Sequence, residues 1–190
     1  MRVFITGVSS GIGRELARQL IDDGHEVWGI ARRVEAMAAL AEELGGARFR
    51  YSGCDIADPA ACAAVRREMD AADYLPDAIV LNAGLDLDDA PPGLDAAQSA
   101  RIMRTNYDGA HYWVAAFIEP FLRRGSGQFV AISSILAHWP DSGQRVLLGF
   151  QGGRSRCMFR EPAQPLHDLE YPVQTALSGA CGYAHKPAIR

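Results

Sequence analysis

The chain opens with Val3-Phe4-Ile5-Thr6-Gly7-Val8-Ser9-Ser10-Gly11-Ile12-Gly13, an apolar run that empties directly into a glycine-rich turn and a helix start. A strand delivered into such a turn points free N–H groups of the helix N-terminus at one spot, and glycines let an anion approach the backbone there. The next helix places Ile12, Leu16 and Leu20 on one face, with Ala17 beside them and Gly24 as a C-cap. An ordinary βα turn built from small residues would read the same way, so the rest of the chain has to decide between the two.

Beyond this turn the chain keeps a regular βα alternation. Strands are expected near residues 2–6, 26–31, 47–52, 77–82 and 127–133, with helices between them. That order predicts an α/β fold, a doubly wound parallel sheet covered on both faces, with its ligand at the carboxyl ends of the strands. Asp58-Pro59 supplies an N-cap and first-turn signal for one helix. A helix over about 107–124 carries Trp113, Val114, Phe117, Ile118 and Phe121, and tolerates Pro120 only with a kink. Its aromatic stripe suits core packing and a subunit interface equally. Leu85 to Pro92 reads as a polar loop.

The strand ends carry the chemistry. The second strand, His25 to Ala31, ends in Arg32-Arg33. In dinucleotide folds an acid near this point binds the ribose 2′-OH, whereas arginine suits a 2′-phosphate. The acid is missing here, so NADP is favoured over NAD. The alternative is a solvated arginine pair opening the next helix. The third strand runs into Cys54-Asp55-Ile56 and the fourth into Asn82-Ala83-Gly84.

With these residues in place the chain resembles the short-chain dehydrogenase/reductase family, in its classical branch. Thr6-Gly7-x-x-x-Gly11-x-Gly13, Cys54-Asp55-Ile56, Asn82-Ala83-Gly84, Asn106 and Ile132-Ser133-Ser134 stand in that family's order over roughly residues 1–142. The resemblance implies a Rossmann fold and an oxidoreductase that moves a hydride between NADP(H) and a small alcohol or carbonyl compound. It also implies that Gly7, Ser9, Ser10, Gly11, Ile12 and Gly13 line the cofactor phosphates and ribose. Asp55 would accept from the adenine amino group with Ile56 beside the ring, and Asn82, Ala83 and Gly84 would pack the nicotinamide-side ribose. Asn106 would hold a proton-relay water, and Ser134 would hydrogen-bond the substrate oxygen as a catalytic residue. Plainer readings exist: Asp55 as a turn cap, Asn106 as a helix interruption.

The family's acid/base tyrosine, and the lysine four residues after it that lowers its pKa, are missing from their places. The tyrosine belongs thirteen residues after Ser134, where the chain has Leu147-Leu148-Gly149-Phe150-Gln151. Tyr171 is followed at the needed distance by Thr175, and Lys186 stands one residue too close to Tyr183. If Leu147 to Gly153 were encoded CTA-CTC-GGC-TTC-CAA-GGC-GGC, reading from the second base would spell Tyr-Ser-Ala-Ser-Lys-Ala. This places a frameshift between roughly Ser134 and Leu147. Residues 143–190 are then an atypical tail without the family's last strands and helices, and the tail's histidines and cysteines carry no functional meaning. The competing readings are a catalytically silent dinucleotide-binding protein and a non-functional truncated product.

Composition bounds the remainder. At 190 residues and 48% hydrophobic content there is material for one core, and a net charge of −4 offers no reason to expect nucleic acid. No apolar run is long enough for a membrane span, and the first strand begins at once, so a cytoplasmic protein without a leader is expected. Cys54, Cys62, Cys157 and Cys181 show no paired spacing, so neither a disulfide framework nor a metal site is expected. His25, His111 and His138 are isolated. A homo-oligomer through the 107–124 helix is the one partner the resemblance suggests besides a small-molecule substrate. Asp86, Asp88, Asp89, His138 and Trp139 could border a substrate cleft or sit in surface loops.

Overall fold

The computed structural model describes residues 1–85, 95–134 and 174–178. In chain order the elements are β1 (Arg2–Thr6), α1 (Gly11–Asp22), β2 (Glu26–Ala31), α2 (Val34–Glu43), β3 (Phe49–Gly53), α3 (Pro59–Ala71), β4 (Ala78–Leu81), α4 (Ala96–Met103), a π-turn (Arg104–Asp108), α5 (Gly109–Arg124), β5 (Gln128–Ser134) and β6 (Gln174–Ser178). All the strand pairings are parallel, and the order across the sheet is β3-β2-β1-β4-β5-β6. The first five strands lie within two residues of their expected bounds. A sixth strand, not expected in the tail, pairs residue for residue with β5 from Val130↔Gln174 to Ser134↔Ser178.

The strand order reverses at β1, which has β2 on one side and β4 on the other. Crossovers leave this point in opposite directions and open a crevice at the carboxyl ends of β1 and β4. Near-continuous burial of β1, β2 and β4 results from helices covering both faces. On one face Phe4 packs against Trp113, the rings tilted by 50° with centroids 4.5 Å apart, and Phe117, Phe121 and Phe129 continue the row. On the other face, Ile5, Val27 and Val80 pack with Ala17, Ile21, Met37 and Leu40.

Local signals explain most boundaries. The Asp58 carboxylate accepts from the Ala60 N–H at 2.9 Å and Pro59 opens α3, as expected. Past α1, Gly24 N–H donates to Ile21 O and His25 N–H to Leu20 O, with Gly24 at φ +85°. That is the Schellman pattern, which needs a left-handed residue at this point. The buried stripe of α1 is Gly13, Ala17 and Ile21, one position on from the expected Ile12, Leu16 and Leu20. Gly13 lets the helix sit directly on the turn, so the stripe rotates toward it, and Ile12 is left 49% exposed at the cleft. The stripe of α5 divides in the same way. Trp113, Phe117 and Phe121 are buried in the core, while Ile118 and Leu122 face outward. Helix α5 also runs through Pro120.

One buried phenol ties the sheet to α3. The Tyr74 hydroxyl lies 3.1 Å from Val3 O and 3.2 Å from Glu26 O, bridging β1 and β2. Burial, and then the Glu26 carboxylate, push its pKa well above the ordinary value of 10. The folded chain therefore keeps a proton that the unfolded chain releases above about pH 10. This contribution is fully present below that pH and is lost as pH rises toward the folded-state value. The Tyr74→Phe variant is expected to lose this part of the alkaline decline, read as a flatter urea midpoint against pH above about 10.

Candidate dinucleotide cleft

The crevice at the switch point is a cleft of about 390 Å³, open on one side. The glycine turn, the end of β2, the segment after β3, the end of β4 and Thr105 of the π-turn all border it. Of the residues singled out in the sequence, Gly7, Ser9, Ser10, Ile12, Arg32, Arg33, Asp55, Ile56, Asn82, Ala83 and Gly84 line it together. Gly11 and Gly13 belong to the same turn but do not line the cleft themselves. Cys54 of the Cys54-Asp55-Ile56 motif lines it too, and so do Ile30, Ala31, Leu85 and Thr105, to which the sequence assigns no site role. Only their position at or beside a strand end or a recognised motif could have flagged these four.

Each of the three turn glycines has a separate physical reason. Gly7 adopts φ +81°, and a Cβ there would lie 2.8 Å from the Ala83 Cα. Gly13 sits so close to the turn that a Cβ would meet Gly7 O and Asn82 Nδ2 at 2.4 Å. Gly11 has φ +58° but open space around its Cβ direction, so its conformation and not crowding calls for glycine. Ser10, the N-cap of α1, makes no side-chain capping bond. The first-turn N–H groups have no intrahelical acceptors, which is the condition for holding a phosphate.

Thr6 and Asn82 clamp β1 to β4. Thr6 Oγ1 accepts from the N–H groups of Asn82 and Ala83, both at 3.0 Å, and donates to Val80 O at 3.4 Å. The Asn82 amide donates back to Thr6 O at 3.0 Å and Gly7 O at 3.1 Å. Its side chain is therefore spent on fixing the turn. Asn106, buried in the π-turn, accepts from the Leu85 N–H at 2.6 Å and donates to Leu85 O at 2.9 Å. It holds the chain leaving β4 as a strand partner would, through its side chain. Asp55 accepts from Ala57 N–H with Oδ1, forming an Asx-turn that faces the cleft.

The charged end of the cleft is built by Arg33. Its guanidinium donates to Ser9 Oγ at 3.1 Å and to Ser10 Oγ at 2.6 Å, bringing a cation and two hydroxyls to one place. Arg32 lines the cleft beside it, and no carboxylate stands at the end of β2. A guanidinium flanked by hydroxyls recognises a phosphate monoester; a ribose diol would call for an acid. Ser134 ends β5, opposite Ser178, and its side chain lies outside the described residues. So do Asp86, Asp88, Asp89, His138, Trp139, Leu147 and Gln151. Among the described residues no group of three His, Cys, Asp or Glu side chains could hold a metal ion, and no helix is long and apolar enough to cross a membrane.

A family model described as short chain dehydrogenase matches residues 1–146. An NADP-dependent 3-hydroxy acid dehydrogenase of Salmonella typhi is 31% identical over 152 residues, covering 77% of this chain and 59% of its own. A serine 3-dehydrogenase of Agrobacterium fabrum is 34% identical over 148 residues, with the same two shares. The chain thus spans about three-fifths of the length of these relatives. Among solved structures, the closed form of a serine dehydrogenase complexed with NADP+ superposes with TM-score 0.82 at 26% identity, over 93% of this chain and 71% of that one. The serine dehydrogenase of Escherichia coli gives TM-score 0.76 at 26% identity, over 86% and 78%.

Proposed function

This chain belongs to the short-chain dehydrogenase/reductase family, and from that membership we propose that its cleft binds NADP(H), with Arg33 receiving the 2′-phosphate. The observation that carries the reading is the Arg33–Ser9–Ser10 cluster at a strand end without a carboxylate. The first turn of α1 and the glycines before it would hold the pyrophosphate, Asp55 and Ile56 the adenine, and Ala83 and Gly84 the second ribose. The NADP+ complex among the structural neighbours and the NADP-dependent relatives support the same choice of cofactor.

When bound, such a cofactor supplies a hydride, and the protein has to supply and orient a proton. In this chain Ser134 would orient a carbonyl or hydroxyl oxygen, and Asn106 holds Leu85 at the cleft wall. At the sequence positions where the family has the tyrosine and lysine of its proton path, this chain has Leu147 and Gln151. The reaction class is therefore oxidation of a small alcohol or reduction of its carbonyl, impaired here at proton transfer. The relatives named for 3-hydroxy acids and for serine share a hydroxyl β to a carboxylate, and that is the substrate class to try first. The outward Ile118 and Leu122 of α5 offer a place for a second subunit.

A reading-frame shift between Ser134 and Leu147 explains why the cleft is intact and the acid/base pair is missing, and the family match ending at 146 supports it. A frame spelling Tyr-x-x-x-Lys across codons 147–151 would carry this explanation; a frame that does not would leave a silent cofactor binder. The cofactor assignment is tested by Arg33→Ala. Loss of charge-assisted bonds to a phosphate is expected to weaken NADPH by about 10–100-fold while leaving NADH within about twofold. Equal effects on the two nucleotides in a fluorescence titration would remove Arg33 from 2′-phosphate recognition.

A further inference from the structure

Spacing along the chain gives no reason to pair the cysteines, yet the fold brings two of them together. Cys54 comes directly after the last residue of β3 and Cys62 lies in the first turns of α3, with their sulfurs 3.9 Å apart. Cys62 is fully buried, and Cys54, at 4% exposure, borders the cleft beside Asp55 and Ile56. Cys62 Sγ also lies 3.7 Å from Ile56 O, so both sulfurs touch the segment that would carry the adenine.

We propose that Cys54 and Cys62 form an oxidisable dithiol opening on the adenine end of the cleft, which a peroxide converts to a disulfide and a bound dinucleotide shields. The shielding rests on the cofactor reading above; the dithiol does not. The hydrogen bond between the two sulfurs, and then burial, push the Cys54 thiol up, whereas the same bond holds Cys62 below its ordinary range against burial and the Asp58 and Asp55 carboxylates. Cys54 stands at the cleft wall, where a peroxide would arrive, and the enclosed Cys62 sulfur is 3.9 Å away, placed to attack it once it is oxidised.

The steps balance. The Cys54 sulfur gives its proton to water in the cleft and attacks one peroxide oxygen; the O–O bond breaks, and the hydroxide released takes that proton back as water, leaving a sulfenic acid. Cys62 sulfur then attacks the Cys54 sulfur, the S–S bond forms as the S–O bond breaks, and the departing hydroxide takes the Cys62 proton as a second water. Two thiols lose two electrons and the peroxide is reduced to two waters. Closing the sulfurs to bonding distance moves them by about 2 Å. Ile56 packs closely against Gly109 of α5, where an added Cβ would lie 2.7 Å from Ile56 O, whereas Cys54 and Asp55 border the open cleft. The side with room for the displacement is Cys54 and Asp55 at the cleft wall. Binding and oxidation then oppose each other, as linkage requires.

The test is peroxide treatment of the full chain, then digestion without reductant and mass spectrometry. The expected result is a peptide cross-linked between Cys54 and Cys62, two hydrogens lighter than the reduced pair, that dithiothreitol reverses. Its formation should slow about tenfold with NADP+ at ten times its Kd. Sulfinic or sulfonic acid on either residue without a cross-link, no oxidation of the pair, or cross-links to Cys157 or Cys181 instead would each overturn the dithiol. A cross-link whose rate ignores NADP+, while calorimetry shows NADP+ bound, would overturn the shielding. If calorimetry shows no NADP+ bound, the cofactor reading fails and the cross-link still supports the dithiol.

Discussion

Trp113→Ala is expected to cost about 3–5 kcal/mol, a large share of what a domain of this size has to spare. The indole is fully buried between sheet and helix, with Phe4 at 4.5 Å, Tyr112 at 5.5 Å and Phe117 at 6.1 Å between ring centroids. Removing it opens a cavity at the centre of the aromatic row that covers β1 and β4, the two strands whose ends form the cleft. Trp113→Phe separates volume from polarity. The indole N–H is buried with no hydrogen-bond partner among the described residues, so phenylalanine loses packing but no bond. It should cost less than about half as much as alanine. Urea unfolding of the three proteins checks both, and a phenylalanine as damaging as alanine would mean that the N–H has a partner.

Gly13→Val is expected to remove about 3 kcal/mol of stability and to abolish NADP+ binding at concentrations that saturate the parent. A Cβ at this position would stand 2.4 Å from Gly7 O and Asn82 Nδ2, atoms already joined by a hydrogen bond of 3.1 Å. Neither can retreat: Asn82 also holds Thr6 O, and Gly7 is pressed against Ala83. Helix α1 would have to lift off the turn and carry its N-terminal N–H groups out of line. Gly11→Ala is the contrast. Nothing lies within 4 Å of its Cβ direction, so the backbone cost comes from φ +58° alone, about 1 kcal/mol. Thermal unfolding should rank Gly13→Val well below Gly11→Ala, and the reverse order would remove the close helix approach as the reason for Gly13.

The parts of the fold legible in the sequence are those governed by neighbours along the chain. The βα alternation, the Asp58-Pro59 start of α3 and the Gly24 stop of α1 depend on residues a few positions apart, and each is found as expected. Hydrophobic periodicity puts the face of α1 one residue off, because it weighs Ile12 and Leu16 and gives no weight to Gly13. Here the close approach of the helix to the turn, and not side-chain size, decides which face is buried. Relations across the sheet have no local signal. Asn106 binds Leu85 from 21 positions away, Thr6 reaches the β4 end across 76, and Arg33 meets Ser9 and Ser10 only because β1 and β2 are adjacent and parallel. Cys54 and Cys62 meet because α3 folds back beside β3 after a short turn. Gln174 to Ser178 shows neither alternation nor an apolar run, and it joins the sheet through backbone pairing with β5.

If the cleft at the switch point recognises a dinucleotide through its 2′-phosphate, calorimetric titration of the full chain with NADP+ and NAD+ side by side reads it most directly. One site per chain is predicted, with NADP+ at least about tenfold tighter than NAD+, the share of one charge-assisted interaction of about 1.4 kcal/mol. Equal affinity for the two nucleotides, or no heat from either with a folded chain, would contradict it.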